Sequence, residues 1–198
     1  MSVASRLTLS TATRLRPFEG LTACGDAVVE ARAQGWHLVA VIDALGHGPD
    51  AALSAHAARK AVEEAAGQPL ASVFAAVHRS LDKLRGVVMS ALLVEGDQAS
   101  FAGVGNVEVF APEGVSRPVT MAGTLGGGPY RFRSFALALE VGQRWALASD
   151  GIKAREGSAL FQKHRQAPAR ELVDLLIDHA GRPHDDVAVM VIDVEAAS

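Results

Sequence analysis

Residues 187–194 read VAVMVIDV, an apolar run that is almost continuous rather than alternating. A strand with one face in water alternates apolar and polar side chains, so this run is typical of a strand that is buried on both faces. Such a strand needs a packed layer above it and another below it. With 198 residues, of which 49% are hydrophobic, the chain can supply those layers, and we expect one domain over residues 1–198.

The N-terminal half carries one hairpin signal followed by two helix signals. Residues 28–42 (VVEARAQGWHLVAVI) predict a β-hairpin that turns at Gln34-Gly35 and ends in a buried strand. An alanine-rich helix is predicted from Pro49 to about Gly67, because proline fits the first turn of a helix. Apolar residues at spacings of three and four predict a second helix over residues 70–84.

The second half is dominated by strand signals. Residues 87–115 contain short β-type runs broken by glycine-rich turns, which predicts an antiparallel meander. Two more strand candidates lie in residues 132–150, and a helix is predicted over residues 168–180. The pattern therefore predicts an α/β (α+β) fold with mainly antiparallel sheets and flanking helices.

Charge and cysteine content argue against several classes of protein. Nineteen Lys and Arg residues against twenty-two Asp and Glu residues give a net charge of −3, with no basic block suited to nucleic acid. No apolar stretch approaches the roughly 18 residues of a membrane span. Cys24 is the only cysteine, and residues 1–17 lack the apolar segment of a signal peptide. We therefore expect a cytoplasmic protein that binds neither nucleic acid nor membrane.

Acidic residues stand at the edges of four predicted strands, at Asp26, Asp43, Asp150 and the pair Asp185-Asp186. A single aspartate at a strand end is usually a turn former or a helix cap. Four such sites close together would repel one another unless cations neutralised them, and hard divalent cations prefer oxygen ligands. Histidine and cysteine do not occur at zinc-ligand spacing. The sequence therefore favours Mg²⁺ or Mn²⁺ over Zn²⁺.

The order of four short motifs resembles that of a known family. Gly25-Asp26, residues 43–48 (DALGHG), Ser149-Asp150-Gly151 and Asp185-Asp186-Val187 follow the motif series of type 2C metal-dependent protein phosphatases. Within that family the chain is most similar to the compact SpoIIE-like branch, and its length is similar to that of stand-alone stressosome phosphatases. The resemblance covers residues 24–194, nearly the whole chain.

This resemblance implies a four-layer α-β-β-α sandwich with two metal ions in a cleft at one end. The implied ligand set is four carboxylates and one backbone carbonyl: Asp26, Asp43, Ala44, Asp150 and Asp185. By resemblance Asp43 bridges the two ions and Ala44 helps to hold one through its carbonyl. Asp150 and Asp185 hold the second ion, while Asp26 supports the first directly or through water. The family usually has glycine at the position of Ala44.

Three neighbouring residues have open roles at this stage. Asp186 is the alternative ligand to Asp185. His47, four residues after Asp43, has the chemistry to protonate a leaving alkoxide, although a loop histidine between two glycines more simply helps to set the turn. His184 is expected to be solvent-exposed rather than to tune the metal site.

The chemistry of two such ions sets the expected activity. At about 3.5–4 Å apart they can share a water, lower its pKa and present hydroxide to a phosphoserine or phosphothreonine phosphorus. We therefore expect a Mn²⁺- or Mg²⁺-dependent protein phosphatase in which Asp43, Asp150 and Asp185 are catalytic. The resemblance implies phosphorylated STAS-domain proteins of a stressosome as partners and substrates, and we expect a monomer.

Three other readings stay open at the level of sequence. The first is a phosphatase of a different anti-sigma-factor antagonist, because the sequence does not mark a substrate-binding surface. The second is a catalytically inactive binding module of the same fold. The third is a structural metal-binding domain without catalysis.

Overall fold

The computed structural model of the protein describes residues 6–197. Over these residues the strands are β1 (Leu7–Arg16), β2 (Asp26–Ala33), β3 (Trp36–Ala44), β4 (Val87–Glu95), β5 (Gln98–Val104), β6 (Glu108–Phe110), β7 (Ser134–Ala136), β8 (Arg144–Ala148) and β9 (Val187–Ala196). The helices are α1 (Pro49–Glu64), α2 (Leu70–Ser80), α3 (Ala154–Lys163) and α4 (Ala169–Ala180). Both ends of the domain predicted over residues 1–198, and the start of the segment predicted to lack a signal peptide, lie outside the described residues.

Two sheets and two helical layers are held together by three apolar clusters. One sheet has the strand order β1-β9-β8-β6 and the other the order β2-β3-β4-β5-β7. The first cluster packs α1 and α2 on the five-stranded sheet, the second fills the space between the sheets, and the third packs α3 and α4 on the four-stranded sheet. All strand pairs of the two sheets are antiparallel. The predicted α+β class and four-layer α-β-β-α sandwich are confirmed.

The strand β9 is buried on both faces, as its apolar run predicts. Met190 and Ile192 point into the cluster between the sheets, while Val189 and Val191 point into the cluster under α3 and α4. Its neighbours β1 and β8 complete its hydrogen bonding on both sides. β3 has the same character, because successive residues face the helices on one side and the second sheet on the other.

The structure contains two elements that the sequence patterns did not predict. Among the described strands, β1 lies at the edge of its sheet and pairs only with β9. Its large apolar residues are Leu7, Leu9 and Leu15, and threonine, serine and arginine make up most of the rest, so its strand signal is weak. α3 buries only Gly157 and Phe161, so it contributes few large apolar side chains to the core and its signal in the sequence is weak.

The predicted meander is wrong beyond its second strand. β4 and β5 form the expected hairpin, but β6 crosses to the other sheet and pairs with β8. The crossing follows Gly105, whose φ of 93° lies in the left-handed region that glycine tolerates best. The second helix, predicted to reach residue 84, ends at Ser80, and Lys83 has a φ of 62° that is incompatible with continuing the helix.

No helix within residues 6–197 has both the length and the apolar character needed to cross a membrane.

We expect Phe161→Ala to lower the free energy of unfolding by about 3–5 kcal/mol, since the ring is fully buried against Phe110 and leaves a cavity. Urea unfolding followed by circular dichroism would measure the change. Leu53→Ala, which removes a 60% exposed side chain, is the control and should change the free energy by less than about 0.5 kcal/mol. Equal effects of the two substitutions would show that α3 is not part of the core.

Candidate metal centre

The predicted aspartates are brought together by the ends of two strand pairs. Asp26 begins β2 and lies directly opposite Asp43 of β3 in the antiparallel register. Asp150 follows β8 by two residues and Asp185 precedes β9 by two residues, and these strands are antiparallel neighbours. Each pair of carboxylates therefore shares one end of its strand pair. The charges of Asp150 and Asp185 act on Asp43, so the two pairs meet between the sheets.

The carboxylate of Asp43 is affected by burial and by the neighbouring carboxylates. Burial raises its pKa to about 7, and the negative charges of Asp150 and Asp185 add to the rise. A hydrogen bond from the backbone N–H of Asp150 acts in the opposite direction and offsets part of it. A carboxyl group with so high a pKa stays ionised at neutral pH far more readily when a cation lies next to it.

Asp26 occupies the deepest position of the four. Burial raises its pKa well above the ordinary value, and the charges of Asp43, Asp186 and Asp185 raise it further. The hydroxyl of Ser149 lowers the pKa in part by hydrogen bonding to the carboxylate. Asp150 is exposed, and Asp43 and Asp185 are half-buried. The centre is therefore a cleft that is closed at Asp26 and open to solvent at Asp150.

Asp185 belongs to the same electrostatic group. Burial raises its pKa, and the charge of Asp150 raises it further. The backbone N–H of Asp186 and the guanidinium of Arg182 lower it in part. Arg182 also donates from Nε to the backbone oxygen of Asp150 at 3.0 Å, so it links the two segments that carry these carboxylates.

An unsatisfied atom makes this group of carboxylates fit a divalent cation. Oδ2 of Asp26 is buried and has no hydrogen-bond partner among residues 6–197, although a buried polar atom normally has one. Within residues 6–197, no three His, Cys, Asp or Glu side chains converge closely enough to enclose a metal ion unaided. Mg²⁺ commonly keeps several water ligands and needs only one or two carboxylates, so this open carboxylate set matches that kind of ion.

Asp186 has a different task from Asp185. Its side chain is buried, and its two oxygens accept hydrogen bonds from the backbone N–H groups of Phe18 at 2.8 Å and Gly25 at 2.9 Å. A Cβ on Gly25 would lie 2.9 Å from Oδ2 of Asp186, and a Cβ on Gly151 would overlap the backbone oxygen of Asp186. The side chain of Asp186 thus fixes the loop before β2, and two glycines allow the close packing around it.

Asn106 is part of the site, although the sequence patterns indicated only a turn at this position. Its Nδ2 donates to Oδ2 of Asp150 at 2.8 Å and so orients the most exposed of the carboxylates. Asn106 lies in the crossing between β5 and β6. The local spacing of residues does not indicate this role. Knowing that β6 pairs with β8 would have indicated it, because the crossing then runs beside the end of β8.

The loop after β3 is shaped for a sharp turn. The N–H of Ala44 donates to the backbone oxygen of Gly25 at 2.9 Å, and Ala44 has no positive φ, so alanine fits where the family usually has glycine. Gly46 has a φ of 84°. The exposed ring of His47 stacks on Phe18 with the centroids 4.4 Å apart.

His184 is exposed, as predicted, with Nδ1 3.3 Å from a carboxylate oxygen of Glu19. Cys24 is half-buried, and burial raises the pKa of its thiol to about 12. This thiol is therefore a poor nucleophile.

Comparison with known proteins gives matches along most of the chain. The sequence profile of the family described as Stage II sporulation protein E (SpoIIE) matches residues 32–195. Phosphoserine phosphatase RsbX of Bacillus subtilis (strain 168) is 29% identical over 139 residues, which cover 68% of this chain and 70% of RsbX.

Solved structures share the fold. A chain solved in work on the bacterial stressosome, a modular system adapted to control secondary messenger signalling, is 34% identical with a TM-score of 0.84, and the match covers 93% of this chain and 99% of that one. The crystal structure of RsbX in complex with magnesium has a TM-score of 0.82 at 23% identity, covering 94% of this chain and 96% of that one. With the family profile spanning most of its length, this chain belongs to the SpoIIE family of type 2C metal-dependent serine/threonine phosphatases.

Proposed function

We propose that this protein hydrolyses phosphoserine or phosphothreonine on other proteins, using two Mn²⁺ or Mg²⁺ ions bound at one end of the sandwich. The proposed ligands are the predicted set: Asp26, Asp43, the carbonyl of Ala44, Asp150 and Asp185. The observation that carries the proposal is the buried, unpartnered Oδ2 of Asp26 within a group of carboxylates whose pKa values are raised by burial and by one another. Such a group is electrostatically incomplete without cations.

The residues of the chain have distinct tasks in this reaction. Two bound ions would supply Lewis acidity and a water of lowered pKa. The charge of Asp43 acts on Asp26, and the charges of Asp150 and Asp185 act on Asp43, so its carboxylate would help to hold both ions. Asn106 keeps Asp150 oriented at the open side of the cleft, where a phosphorylated side chain can enter. His47 is exposed in the adjoining loop, and its role as a proton donor to the leaving alkoxide stays a prediction.

We further propose that the substrates are phosphorylated STAS-domain proteins of a stressosome. The similarity to RsbX, a phosphoserine phosphatase, and to a structure from work on the stressosome supports this choice. We expect the protein to act as a monomer in the cytoplasm, where a single unpaired cysteine such as Cys24 is ordinary.

A binding module of the same fold is the alternative from another functional class. It would retain the carboxylates and bind metal but would not turn over. The same assay separates the two, because only an enzyme releases phosphate when metal is present.

We expect turnover of p-nitrophenyl phosphate with added Mn²⁺ or Mg²⁺ and none with EDTA. Asp43→Asn and Asp150→Asn should each lower kcat by at least about 100-fold, since each removes a proposed ligand charge. Asp97→Asn changes an exposed turn carboxylate outside the site and is the matched control, with kcat unchanged. Metal binding by calorimetry without any turnover, on this substrate or on a phosphorylated STAS protein, would favour the binding module.

Asp185→Asn should mainly affect turnover, whereas Asp186→Asn should mainly affect the free energy of unfolding. Asp185→Asn should abolish metal-dependent turnover and leave the stability of the metal-free protein unchanged or raised, because a repelling charge is removed. Asp186→Asn should lower the free energy of unfolding by about 1–3 kcal/mol, because an amide NH₂ would face a backbone N–H of Phe18 or Gly25. Thermal unfolding in EDTA measures both changes. The reverse pattern would make Asp186 the ligand.

Asn106→Ala should lower kcat by about 10- to 100-fold, the usual effect of losing a group that orients a metal ligand. The metal concentration that gives half-maximal turnover should be higher for this variant than for the wild-type protein. Gln98→Ala, at an exposed position at the start of β5, serves as the control. Wild-type kcat and metal affinity in Asn106→Ala would exclude the orienting role.

A further inference from the structure

A basic groove lies between α3 and the loop that follows β6. It has a volume of about 930 Å³ and is bounded by residues 110–117 on one side and by residues 154–165 on the other. Four cationic side chains line it: Arg117, Arg155, Lys163 and Arg165. The only acidic side chain in the lining is Glu113, so the groove has an excess of three positive charges. The whole chain, by contrast, has a net charge of −3.

These positive charges are only partly neutralised by the protein. Arg165 lies 3.3 Å from Glu113 and Arg117 lies 3.7 Å from Glu108, and both pairs are at the surface. Across the described part of the chain, Arg155 and Lys163 have no ion-pair partner. Exposed pairs of this kind are weak, so an anionic partner can compete for all four cations.

The groove lies close to the proposed metal centre. Arg117 also lines a neighbouring cavity of about 250 Å³, which reaches Asn106. Asn106 in turn donates to the carboxylate of Asp150. α3 begins at Ala154, four residues after Asp150, so the near end of the groove is at most about 14 Å from Asp150 along the chain.

The groove is built before any partner arrives. Nε2 of Gln162 in α3 donates to the backbone oxygen of Ala111 at 2.8 Å and ties the loop to the helix. Nη1 of Arg165 donates to the backbone oxygen of Gln162 at 3.2 Å. A surface with its walls already fixed loses less conformational entropy when it binds.

Resting on the proposed phosphatase function, we propose that this basic groove binds an acidic segment of the phosphoprotein substrate and so selects it. An extended chain advances about 3.3 Å per residue, so an acidic stretch that starts about five residues from the phosphoserine reaches the groove. The partner is thus a phosphoprotein with two anionic features, of which one enters the metal centre and the other binds the groove. Attraction of this kind raises the association rate and falls with added salt.

Synthetic phosphoserine peptides test the proposal. Two peptides carry three glutamates that start five residues from the phosphoserine, on its N-terminal side in one and on its C-terminal side in the other, and two counterparts carry glutamine instead. We expect the wild-type protein to bind at least one glutamate peptide about fivefold or more tightly than its glutamine counterpart at low salt. Fluorescence anisotropy gives the Kd without requiring turnover, and kcat/KM for phosphate release should follow the same order.

A pair of charge-reversal variants locates the effect. The variant Arg155→Glu with Lys163→Glu should lose the preference for glutamate, so that the ratio of the two Kd values falls to about one or inverts. Lys60→Glu with Arg170→Glu makes the same change of net charge at exposed positions of α1 and α4 and should keep the preference. Circular dichroism checks that both variants are folded.

The outcomes separate the two proposals. Equal affinity of the wild-type protein for glutamate and glutamine peptides would overturn the groove proposal, as would an equal loss of preference in both charge-reversal variants. A parallel loss of p-nitrophenyl phosphate turnover in the groove variant would overturn it too, because the effect would then lie in the metal centre. A preserved glutamate preference in binding, without release of phosphate from any substrate, would support the groove and contradict the proposed phosphatase.

Discussion

Repulsion among carboxylates that the fold withdraws from water is the constraint on which this protein depends. Asp26 and Asp43 lie opposite each other at the end of β2 and β3, and the charge of Asp43 raises the pKa of Asp26. Burial strengthens that repulsion, because water no longer screens the charges. A chain selected for stability alone would not retain this arrangement. Its natural complement is divalent cations, which would convert the same proximity from repulsion into coordination.

The rigidity needed to hold like charges together comes from the sheets. β2-β3 and β8-β9 are antiparallel pairs within a sandwich, so the positions of their ends are fixed by register rather than by loops. The adjacent residues Asp185 and Asp186 then have different roles and different surroundings. Asp186 is buried and satisfied by two backbone N–H groups, whereas Asp185 faces the other carboxylates with a raised pKa. Asp185 and Asp186 lie in the turn before β9, where the side chain of Asp186 is bound by two backbone N–H groups and that of Asp185 is left to the other carboxylates.

The sequence predicted most of the elements that depend on strong patterns, but not the way distant segments meet. The hairpin at Gln34-Gly35, the proline-initiated α1 and the doubly buried β9 carry local signals, and all three are present. β1 and α3 were missed because each carries few large apolar side chains, so neither stands out as part of the core. The crossing of β6 to the other sheet was missed because strand order is set by long-range packing. Asn106 reaches Asp150 only through that crossing.

α3, one of the two elements that the sequence patterns did not predict, also gives the surface its uneven distribution of charge. α3 follows directly from the Asp150 turn and forms one wall of the basic groove, so a single segment joins the acidic centre to a cationic surface. Cations bound at the carboxylates would make that centre attractive to a phosphate, while the groove is attractive to anions without any metal. The two sites therefore attract the same kind of partner for different physical reasons. Their separation, set by the few residues between Asp150 and α3, favours a substrate whose two negative features are spaced to match.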